Sequence, residues 1–70
     1  MLIKLETFIV DGGIPTINDI TEAINICKEK NCIVKIMWLP NAYAGWHDTI
    51  VTIDSIAQDV YDRLPKVYGL

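Results

Sequence analysis

The stretch Asp11–Asn31, DGGIPTINDITEAINICKEKN, decides the fold. Its apolar residues Ile17, Ile20, Ala23, Ile24 and Cys27 recur at helical spacing, with Ile26 off the stripe. Thr16 stands at the helix start with Asp19 three residues on, the spacing of a capping box. Lys28 and Lys30 suit the negative end of the helix dipole, and Asn31 suits a left-handed stop. Ahead of the helix, the paired Gly12 and Gly13 permit positive φ and hence a sharp turn.

On the N-terminal side, residues 1–10 alternate in a way that predicts a half-buried strand. Ile3, Leu5, Thr7 and Ile9 fall on one face; Leu2, Lys4, Glu6, Phe8 and Val10 fall on the other. On the C-terminal side, Cys32–Leu39 is expected as a second strand. Val34, Ile36 and Trp38 share one of its faces and Ile33, Lys35 and Met37 the other. Pro40-Asn41 breaks it, and residues 40–45 form a loop. Trp46–Ile53, rich in Ile, Val and Thr, is a third strand whose facing stays open, because Ile50 opposes Val51 and Ile53. Asp54-Ser55 is expected to cap a second helix, with Ser55 and Gln58 at capping-box spacing and Ile56, Val60 and Leu64 on one side. Pro65 ends that helix, and Lys66–Leu70 is a candidate short edge strand.

The order is β-α-β-β-α with an optional last β. A helix joins the first two strands, which are therefore expected to be parallel with a right-handed crossover. A short loop joins the second and third into an antiparallel hairpin. Both helices then cover one face of a mixed sheet of three or four strands. This is an α+β two-layer sandwich, ferredoxin-like in order if the last strand forms and truncated if it does not. The sheet face without helices is expected to carry Lys4, Glu6, Phe8, Lys35 and Met37. It is either solvated or the place where two copies meet, with Phe8, Met37 and Lys35 as the oligomer-face candidates.

Seventy residues make a single domain, 1–70. A chain of this size buries only about 60% of its unfolded surface. Its core alone is expected to supply no more than roughly 3–5 kcal/mol. The apolar fraction of 51% and the mean hydropathy of +0.29 are high for such a chain. Some apolar surface is expected to stay outside as a patch, which predicts a homodimer or a bound protein partner. Two cysteines, Cys27 and Cys32, are too few for a secreted disulfide framework, and with His47 they make no closed zinc site. They are expected to be buried thiols in a reducing cytosol. No cofactor or metal is called for. The longest apolar run, Ile36–Leu39, is far too short to span a membrane, and the N-terminus lacks signal-peptide character. A cytoplasmic setting follows. The net charge of −3, with scattered bases, disfavours nucleic acid.

The most unusual segment is Trp38–His47, which puts both tryptophans, Tyr43 and His47 around one loop. Tyr and Trp concentrate binding energy, so Trp38, Asn41, Tyr43, Trp46 and His47 are the candidate contact residues for a protein partner or ligand. Against this stand inward packing for Trp38, favoured on pattern, and ordinary cross-strand pairing for Trp46. His47 and Asp48 are neighbours on a strand and point to opposite faces, so they make no acid–base pair. A Cys27–His47 nucleophile pair has no support in the pattern, and no catalytic set is visible. Gly12, Gly13 and Thr16, at a helix start, are weak anion-binding candidates; a tight turn with a cap explains them better. Asp48, Asp54, Asp59 and Asp62 give the C-terminal half an acidic bias. The expectation is a non-enzymatic interaction protein (adaptor, regulator or inhibitor), with a small-ligand or nucleotide-binding regulatory oligomer as the alternative.

Overall fold

A computed structural model describes residues 4–65. Five elements run in the order β1 (Leu5–Val10), α1 (Ile17–Lys30), β2 (Ile33–Trp38), β3 (His47–Val51) and α2 (Ala57–Arg63). The expected β-α-β-β-α order and two-layer α+β class are what the chain adopts. A strand in residues 66–70 and the facing of Leu2 and Ile3 lie outside the described residues.

α1 begins and ends on the residues the pattern assigns. Thr16 Oγ1 accepts from the Asp19 backbone N–H at 3.2 Å, and Asp19 Oδ2 accepts from the Thr16 N–H at 2.9 Å, a complete capping box. At the other end Asn31 is left-handed, with φ 51° and ψ 55°. Its N–H and that of Cys32 both donate to the Cys27 carbonyl, which closes the helix. Ile20, Ala23, Ile24 and Cys27 are buried along the inner stripe, and each isoleucine contributes about 1.5–3 kcal/mol of burial.

β1 and β2 are parallel and directly hydrogen-bonded, from Leu5 opposite Ile33 to Val10 opposite Trp38. β2 and β3 are antiparallel, from Val34 opposite Val51 to Trp38 opposite His47. The sheet order is therefore β1-β2-β3, with β2 central and β1–α1–β2 an unsplit crossover unit. α1 packs on β2 and β3, and α2 lies beside α1. Val34, Ile36, Trp38 and Val51 are buried beneath this layer, joined by Val60 and Leu64.

The register corrects the facing of β1. Phe8 opposes Ile36 and Val10 opposes Trp38, so Glu6, Phe8 and Val10 share the helix side. Phe8 packs against the core and is not on the open face, where the sequence reading puts it. Both alternating sets of β1 contain large apolar residues, so alternation alone does not choose between them; pairing with β2 does. Glu6 is tolerated on the helix side because it lies near the end of α1, where Lys30 Nζ reaches its Oε1 at 3.3 Å. The open face therefore carries Leu5, Thr7 and Ile9 beside Ile33, Lys35 and Met37. On β3, whose facing the pattern leaves open, Val51 turns inward while Asp48 and Ile50 join the open face.

The second helix also differs from expectation at its start. Its N-cap position is Ile56, with no side-chain cap bond. Ser55 Oγ instead accepts from the Thr52 N–H at 2.9 Å, and the Ser55 N–H donates to the Thr52 carbonyl. Ser55 thus closes the turn after β3, so Asp54-Ser55 punctuates a strand end and does not begin a helix. Gln58, freed from a cap role, donates to Asp62 Oδ1 at 2.9 Å.

Candidate site at the strand C-terminal ends

β1 and β2 run the same way, so the segments that follow them emerge at the same end of the sheet. After Val10 the chain turns through Gly12 and Gly13 at φ +95° and +104°, values that side chains other than glycine rarely adopt. A Cβ on Gly13 would lie 3.8 Å from the Pro40 carbonyl oxygen, an ordinary contact, so glycine is needed here for its φ and not for space. After Trp38 the chain passes Leu39 and Pro40 into a loop organised by Asn41. Asn41 Oδ1 accepts from both the Tyr43 and Ala44 N–H groups at 2.8 Å. Asn41 is therefore a positioning residue whose oxygen is committed to the loop.

Between the two loops lies an open cleft of about 490 Å³. One wall is Val10 to Gly13; the other is Leu39 to Ala42 together with Trp46. The structure thus joins the glycine turn and the aromatic loop, which the sequence presents as separate features. Val10, Asp11, Leu39, Pro40 and Ala42 are the lining residues that sequence reasoning misses. The available signal is that both loops follow parallel strands joined by one crossover.

Each predicted contact residue finds a definite place. Tyr43 is 87% exposed and Trp46 is 56% exposed. Trp38 is 1% exposed and lies in the core, which removes it from the contact set. Its inward side of β2 meets α1, so the indole goes to the interior. His47 lies across from it, with ring centroids 6.1 Å apart and planes at 24°, half-buried and stacked on the indole. The alternative partner for Trp46, a cross-strand neighbour, does not apply either, because β3 starts one residue later at His47.

Two chemical readings meet geometry that opposes them. The Thr16 N–H, which an anion would need, is already bonded to Asp19, and Asp11 adds another carboxylate to the cleft wall. Gly12 and Gly13 make the turn and Thr16 the cap, the reading that the sequence favours for these three residues. Cys27 Sγ faces the Val51 carbonyl at 3.5 Å, four residues along β3 from His47, or about 14 Å of extended chain. Thiol and imidazole are not a pair. Burial pushes the Cys27 thiol up from the ordinary thiol range, so it is held as neutral S–H. Cys27 and Cys32 are both free and buried. His47 and Asp48 lie on opposite faces of β3. No group of three or more His, Cys, Asp or Glu among the described residues is placed to hold a metal ion.

A second depression, of about 470 Å³, lies at the start of α1 beside Tyr61 and takes in only Thr16 of the candidate residues. No described helix is long and apolar enough to cross a membrane. Comparison with family models, with curated proteins and with solved structures gave no match to this chain.

Proposed function

We propose that this chain is a non-enzymatic interaction module, a small adaptor, regulator or inhibitor that works by occupying a surface of another protein. The observation that carries this reading is the pair Tyr43 and Trp46, both exposed on a loop that Asn41 holds in shape. A phenol and an indole presented on a fixed turn offer large contact area with little conformational entropy to lose. The separation of Cys27 from His47, and of His47 from Asp48, supports a role without catalysis. We place the chain in a reducing, cytoplasmic setting, where Cys27 and Cys32 remain thiols.

The test is capture of a partner from a lysate of the source cell by the wild-type chain and by the double variant Tyr43→Ala/Trp46→Ala. The expected result is one partner retained at stoichiometric level by the wild type and lost by the variant, with the same thermal midpoint for both chains. Equal retention by both would remove the loop from the contact.

A second reading rests on the cleft itself. Its volume lies within the range of roughly 300–1,000 Å³ typical of small-molecule sites. It also sits at the strand C-terminal ends, where open α/β sheets take ligands. The Asp11 carboxylate on its wall favours a neutral or cationic molecule over a nucleotide. A thermal-shift screen separates the two readings, since a ligand that binds only the folded chain raises its midpoint in proportion to RT ln(1 + [L]/Kd).

A further inference from the structure

We propose that two copies of this chain pack sheet against sheet through the uncovered face. The proposal concerns a surface other than the aromatic loop and does not depend on it. Among the described residues, eight strand side chains make up this face, and five are large and apolar: Leu5, Ile9, Ile33, Met37 and Ile50. Leu5, Ile9 and Ile50 are 54%, 56% and 46% exposed, so the face is oily at both edge strands. Solvation alone would leave these side chains at a cost that burial removes.

The charges on the face favour a second copy as the occupant. Among the described strand residues of the face there is one of each sign, Lys35 on β2 and Asp48 on β3. Lys35 lies opposite Ile50, and Asp48 lies opposite Met37, one row further along the same face. A two-fold axis running across the strands, between these two rows, places Lys35 of each copy over Met37 of the other and beside its Asp48. The face is thus self-complementary, as a two-fold interface must be, and its two ion pairs are satisfied without an outside counter-charge.

Area sets the strength. Three strands about 4.8 Å apart and some 20 Å long cover on the order of 300 Å² per copy. That is well under half of the roughly 800 Å² per partner in a standard interface. A contact of this size is of the weak, reversible kind, populated only at high protein concentration.

Sedimentation equilibrium from about 10 µM to 1 mM reaches the concentrations at which such a weak contact is populated and tests the proposal. The wild type should pass from monomer to dimer over this range, and Tyr43→Ala/Trp46→Ala should do the same. Lys35→Glu alone presents two negative charges, and Asp48→Lys alone presents two positive ones. Each should weaken self-association by about tenfold or more. Mixed in equal amounts, the two variants should pair at least as well as the wild type, and the mixture also shows that both remain folded. A wild type that stays monomeric throughout overturns the proposal. So does a mixture that pairs no better than either variant alone.

Discussion

Thr16, Asp19 and Asn31 take the roles in the structure that their spacing predicts, because a cap bonds to groups within a few residues of itself. Cys27 is different, since its surroundings come from β3 and are not written in its neighbours. Burial raises its thiol above the ordinary range. The unfolded chain therefore loses that proton first as pH rises. Any stability from this group is complete below the unfolded thiol pKa and is lost as pH climbs through the raised folded value. Urea midpoints of the wild type, measured against Cys27→Ala from neutral pH upward, should converge in the alkaline range from about pH 8. A gap independent of pH would show that Cys27 ionises alike in both states. Trp38 and Trp46 differ in how far residue-level reading reaches. The alternation of Trp38 with Val34 and Ile36 already favours the core, where the structure has it, whereas for Trp46 the sequence leaves anchor and cross-strand pairing even.

Among the elements, α1 was the most legible, because its stripe, cap and stop agree with one another. β1 was the least legible. Leu5 and Ile9 compete with Phe8 and Val10 for the inner face, and the choice falls to non-local pairing with β2. The start of α2 also resembles a cap in sequence, yet Ser55 serves the turn after β3. These assignments separate in a stability measurement. Thr16→Ala should cost about 1 kcal/mol, because a true N-cap is lost. Gln58→Ala should cost less than about 0.5 kcal/mol, since only its exposed bond to Asp62 goes. Chemical denaturation of both variants checks the order, and a larger loss at Gln58 would contradict it.

For the whole molecule, the element order and the two layers follow from the pattern of turns and periods, whereas the candidate site does not. Gly12 and Trp46 are far apart in sequence and line one cleft because parallel strands deliver their loops to the same end. Such convergence is a property of topology and not of any local motif. The same topology leaves one sheet face without helices and sets Tyr43 and Trp46 out beyond the core. A 70-residue chain has a thin core to begin with. Its apolar surplus is then divided between a flat face suited to a second copy and an aromatic tip suited to another protein.

The most direct test of that account is acrylamide quenching of tryptophan emission, with the Trp46 signal taken as the difference between wild type and Trp46→Phe. The structure puts one indole at 1% exposure and the other at 56%. The Trp46 component of the isolated chain should therefore be red-shifted and readily quenched, and the remaining Trp38 component blue-shifted and protected. A Trp46 signal as protected as that of Trp38 would mean that the loop folds its indole inward, and the binding tip would be gone.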